Sequence, residues 1–155
     1  MRNPADISPT IVEALYREAL ELAEEARDGF DMSGKRDEVV GDDPTARIAL
    51  SCEALRTTTR MMHAIAWLLN HKAYINGELS EFQLRRHGRL PPPQPETDPV
   101  QLEMLPHDLR DLVARSKLFY QRIERLDASW RKQFEMQPAA ILRLHERLNE
   151  ALATN

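Results

Sequence analysis

A single cysteine, Cys52, excludes an internal disulfide framework and suits a reducing compartment. Glycine is sparse, with five in 155 residues, and aromatic residues make up only 6%. That leaves little of the turn and flat-ring chemistry from which many-stranded sheets are built. No run approaches the roughly 18 consecutive apolar residues of a membrane span. The N-terminus, Met1 to Asp6, has no apolar stretch behind it, so no signal peptide and no membrane contact are expected. Positive charge is not in excess either: 21 Lys and Arg against 25 Asp and Glu give −4, which disfavours a dedicated nucleic-acid binder.

Chemical signatures are equally thin. There is no glycine-rich phosphate loop, no G-x-S-x-G and no zinc-protease motif. His63 and His71 are eight apart, and no Glu-x-x-His pair offers ligands for a di-metal bundle. Acidic pairs such as Glu24/Glu25, Asp42/Asp43 and Asp108/Asp111 sit where acids favour a helix N-terminus or lie on solvated faces. The expectation is no catalytic residue, no metal, no cofactor and no enzymatic activity.

What is abundant is leucine, whose 20 copies outnumber the 12 Val and Ile together. With 30% charged residues, this composition predicts a soluble all-α chain of one domain. A first helix is predicted from Pro9 to Asp28. Ser8 caps it, Gly29 ends it, and Val12, Leu15, Ala19, Leu22 and Ala26 line its buried face. Residues 29–43 read as a charged loop in which Val39 and Val40 are the only candidates for docking.

The second helix runs from Pro44 to Asn76-Gly77, with Asp43 as its cap. Its main stripe is Ile48, Cys52, Leu55, Thr59, Met62, Ala66, Leu69 and Ala73, assigned to the chain's own core. A second stripe holds Met61, Ile65 and Leu68 with Trp67 beside it. A helix apolar on so many sides is buried on more than one, so Met61, Ile65, Trp67 and Leu68 are assigned to a homodimer interface.

A short helix follows, with Ser80 and Gln83 as a capping box, Phe82 and Leu84 tucked inward, and an end near Gly88. Residues 89–104 read as an extended proline-rich linker. A third long helix from Pro106 to Phe134 presents Leu109, Leu112, Ser116, Phe119, Ile123, Leu126 and Trp130 as the seam of an antiparallel three-helix bundle. Pro138 is expected to interrupt it. Residues 138–155, carrying Ile141, Leu144, Leu148 and Leu152, read as an amphipathic terminal helix or tail. Arg110, Arg115, Lys117, Arg122, Arg125, Arg131 and Lys132 on the third helix leave open an alternative, a transcription-associated protein touching nucleic acid.

Two stretches carry a family resemblance. The first runs from Glu53 through Arg60 and Trp67 to Leu69, and on through Gly77 to Gln83. The second runs from Leu105 to Ser116 and from Arg122 to Asp127. They are similar to the regulator of CtrA degradation family of alphaproteobacteria, over roughly residues 10–130. The resemblance implies a dimeric, non-enzymatic adaptor in regulated proteolysis. Such an adaptor brings cell-cycle regulators, a CtrA-type response regulator among them, to the ClpXP protease with co-adaptors. It implies a cytoplasmic protein with the cell pole as its working place. Thr57, Arg60, Glu78, Ser80 and Gln83 fall within the matching motif and are the partner-binding residues it implies. The family's adaptor ends in a flexible segment used in cargo delivery, whereas here only Ala153, Thr154 and Asn155 read as a loose end.

Overall fold

A computed structural model describes residues 6–31, 41 and 43–153, with side chains except for 134–140. Val39 and Val40, and most of the charged loop, lie outside the described residues. Five helices occur among the described residues, and no strand: α1 (Pro9–Gly29), α2 (Pro44–Ile75), α3 (Glu81–His87), α4 (Pro99–Glu103) and α5 (His107–Ala153).

The local rules explain most of the boundaries. Pro9 and Pro44 open their helices where a missing N–H is harmless. Asp43 caps α2 by accepting from Thr45 N–H at 3.0 Å. Ser8 precedes α1 but makes no side-chain cap. The α2 terminus turns at Gly77, whose φ of 80° suits glycine, and Glu78 N–H returns to Ala73 C=O at 2.8 Å. The capping box at α3 is complete: Ser80 Oγ accepts from Gln83 N–H, and Gln83 Oε1 accepts from Ser80 N–H. Leu84 is buried as expected, while Phe82 points outward.

Three differences concern helix ends and extra turns. α1 ends on Gly29 without a left-handed residue, and Phe30 follows it into the core. Asp98 accepts from Val100 N–H and starts α4 inside the stretch read as linker. α5 runs unbroken through Pro138 to Ala153, so no interruption occurs there. Pro138 removes one intrahelical hydrogen bond, whereas a full break would orphan several N–H and C=O groups at two new helix ends. At 1.5 Å per residue α5 is about 70 Å long.

Named contacts set the directions. Lys72 meets Glu13, so α1 and α2 are antiparallel; Arg115 meets Glu25 and Arg122 meets Glu18, so α1 and α5 are antiparallel too. Arg60 meets Ser116 and Trp67 meets Asp127, so α2 and α5 run parallel. α1 is therefore antiparallel to each neighbour, and the remaining pair is parallel, as one pair among three aligned helices must be. Parallel neighbours need a crossover, and residues 88–98 supply it. This strap leaves the α3 end, where Leu84 packs with Trp130, and reaches Glu53 through Thr97. Eleven residues of extended, proline-rich chain span about 34 Å, the length of return required.

The α1 stripe and the α5 seam are buried as their spacing predicts, with Leu126 half-buried. They enclose a core with Leu50, Met61, Ala64, Trp67 and Leu68 of α2. The two faces of α2 are therefore exchanged relative to expectation. Met61, Trp67 and Leu68 are inside the chain's own core and Ile65 packs against it, so none of the four is an open interface residue. The stripe assigned to the core faces outward: Ile48 is 60% exposed, Leu55 70%, Met62 63% and Leu69 47%. Cys52, expected to be a buried thiol, is half-buried.

Candidate functional site

The exchange of faces has a chemical cause. α2 places Glu53, Thr57 and Arg60 on its inner side at spacings of four and three, one above another. All three are buried, Glu53 completely and Arg60 to 9% exposure. The strap and the first half of α5 cover them. Thr97 Oγ1 donates to Glu53 Oε2 at 2.7 Å, and Arg56 approaches the same oxygen at 3.5 Å. Arg60 Nη1 donates to Ser116 Oγ at 2.8 Å, and Ser116 Oγ donates on to Val113 C=O. Glu53 Oε1 and Thr57 Oγ1 are buried without a partner.

A pocket of about 150 Å³ opens beside this column. Arg60 and His63 of α2 form one wall, Lys117, Tyr120, Gln121 and Glu124 of α5 a second, and Pro92 to Glu96 of the strap the third. Burial lowers the Arg60 pKa, partly offset by the Glu53 charge, and burial followed by the Glu124 charge raises that of Tyr120. Gln94 Oε1 is buried here with no hydrogen-bond donor.

A second polar cluster joins α2, α5 and the residues before α1. His71 stacks on Trp67 with ring centroids 4.0 Å apart and meets the edge of Trp130 at 5.3 Å. Trp67 Nε1 donates to Asp127 at 2.9 Å, and Tyr74 Oη donates to Asp6 at 2.9 Å. His71 is 2% exposed and its Nε2 has no partner. Burial holds its pKa down at about 4, with the Asp127 charge opposing, so the ring is neutral at pH 7.

The residues implied by the resemblance thus divide. Thr57 and Arg60 belong to the buried column, with Arg60 also reaching the pocket. Ser80 and Gln83 are exposed and hold the α3 cap, and Glu78 is exposed in the turn before it. The structure does not bring these two groups together. Sequence reading missed Glu53, Gln94, Thr97 and Tyr120 as site residues. The one available signal was the four-then-three spacing of Glu53, Thr57 and Arg60, a polar stripe with the period of a buried face.

Outside the column, every exposed residue of α2 between Ser51 and Asn70 is uncharged: Ser51, Leu55, Thr58, Met62, Ala66 and Leu69. Ile48, Cys52, Leu55, Thr59, Met62, Ala66, Leu69 and Ala73 alternate by four and three, the repeat of a coiled-coil seam. No group of three or more His, Cys, Asp or Glu placed to hold a metal ion occurs among the described residues. No helix among them is long and apolar enough to cross a membrane.

No curated protein and no solved structure matches the chain. Residues 4–152 match one protein family, and the chain is a member of it: the family described as "Protein of unknown function (DUF1465)".

Proposed function

We propose that this protein is a non-enzymatic, homodimeric adaptor in regulated proteolysis, bringing a response-regulator cargo to the ClpXP protease together with co-adaptors. The observation that carries an interaction role is the uncharged outer seam of α2. Solvent-facing Leu55, Met62 and Leu69, with the half-buried Arg56 as the one partly open charge between Ser51 and Asn70 besides the Arg60 of the column, form an apolar strip of the kind that marks protein contacts. Its heptad repeat fits a second copy of the same helix, which moves the dimer interface from Met61, Trp67 and Leu68 to Ile48, Leu55, Met62 and Leu69. The identity of the protease and cargo rests on the likeness of Glu53 to Gln83 and Leu105 to Asp127 to the regulator of CtrA degradation family. Under this reading the protein works in the cytoplasm, with the cell pole as its site of action. Tethering accounts for the mechanism, since holding cargo beside an unfoldase raises its effective concentration and no covalent chemistry is required.

Nucleic-acid binding through the basic helix is not favoured. Arg115, Arg122 and Arg131 are paired with Glu25, Glu18 and Asp127, which divides the basic face. The test is capture from native lysate with a proteolytically inactive ClpP as trap, followed by degradation of the captured response regulator with purified components. Faster degradation that depends on this protein supports the adaptor. An unchanged rate with cargo and co-adaptors present overturns it.

A further inference from the structure

The Arg60 pocket goes beyond the adaptor reading and does not depend on it. Arg60 is 9% exposed, and among the described residues its guanidinium makes a single hydrogen bond, to Ser116. Its remaining N–H donors are not among the buried unpartnered atoms, and the residue lines the pocket, so those donors open into it. No carboxylate bonds this buried guanidinium directly, the Glu53 charge offsets its burial only in part, and a bound anion would relieve the remaining cost. Lys117 places a second cation in the same pocket. Tyr120, whose phenol burial keeps protonated, adds a neutral donor.

The other walls narrow the ligand. Glu96 and Glu124 also line the pocket, so its cations and acids are balanced and a dianion would meet two like charges. We propose that the pocket binds the monoanionic carboxylate with which a polypeptide chain ends, held on Arg60 and Lys117. At about 150 Å³ the pocket takes one small residue. The same chemistry is offered by a free N-acyl amino acid and by a protein C-terminus.

Titration of the full-length protein with N-acetylalanine, followed by the Arg60 Nε–H and the backbone amides around the pocket in NMR spectra, tests this. So small a ligand should bind with an affinity of about 1 mM. N-acetylalanine amide should leave these signals unmoved, and inorganic phosphate should move them far less. Lys117→Gln, on a half-buried side chain that leaves the core untouched, should weaken binding about fivefold. Arg60→Lys should weaken it about tenfold with helical content retained. A six-residue peptide ending in the same alanine separates the sources. Tighter binding than N-acetylalanine assigns the site to chain ends, and equal binding assigns it to a free small ligand, both consistent with the proposal. Equal shifts with the amide, equal shifts with phosphate, or none at about 20 mM, some twentyfold above the expected affinity, overturn it.

Discussion

His71 shows how far one residue can depart from the surface or boundary role its sequence context suggests. Trp67 and Trp130 pack against the ring, and the nearest charges are Asp127 and Arg131 of α5 and Asp6 before α1. The folded pKa is about 4 against 6.5 in the unfolded chain, so between these values the unfolded state binds the extra proton. Stability is then complete above about pH 6.5 and falls as pH drops towards 4, by up to about 3 kcal/mol. Urea midpoints measured across this window should fall with acidification in the wild type. In His71→Phe that part of the slope should disappear; an unchanged slope would locate the acid sensitivity elsewhere. Tyr74 acts at the other end of the scale. Burial and the hydrogen bond to Asp6 push its phenol up to about 12, so stability should decline as pH rises from 10 to 12. The packing of neither residue was legible, because Trp130 of α5, which meets both rings, lies more than fifty residues away along the chain.

Whole elements were easier to read than the orientation of the central one. The α1 stripe, the α5 seam and the α3 capping box follow from three-four spacing and from Ser80 with Gln83, and the structure contains each of them. α2 misled because both of its faces are apolar, and the usual guide of placing charges outward fails when Glu53 and Arg60 are buried. Its correct orientation depends on Ser116 and Thr97, which only the folded chain brings near. Substitutions separate the two faces. Leu55→Glu combined with Met62→Glu alters two outward side chains and should yield a folded monomer, seen as unchanged helical circular dichroism and half the dimer mass in light scattering. Leu68→Glu buries a charge at a fully enclosed position and should unfold the protein. If the outer double variant stays dimeric, a second copy does not occupy the seam. Ser80→Ala is a smaller test of the same local reasoning. Losing the α3 cap should cost about 1 kcal/mol, read as a lower urea midpoint.

At the scale of the molecule, the end of α5, residues 141–153, is exposed at every position. Among the described side chains Trp130 is the last that is buried. Ile141, Leu144, Leu148 and Leu152 are therefore outside the core formed by the described residues, although their spacing is that of an amphipathic helix. The helix was legible from the pattern but its exposure was not, because amphipathicity reads the same whether the other half of a contact is in the chain or outside it. A chain ending after Gln133 removes none of the described core. It should keep the melting temperature within a few degrees, since exposed substitutions and deletions change stability by about 0.5 kcal/mol. Trp130→Ala, three residues before that end, should cost about 3–5 kcal/mol by opening a cavity against Leu84, His71 and Tyr74. The contrast bears on function as well. If the extension serves cargo delivery, the truncated protein should remain folded and dimeric through α2 while losing its effect on degradation rate. If degradation is equally fast without it, cargo recognition belongs to the body of the molecule, where the α2 seam and the strap pocket are the surfaces left to provide it.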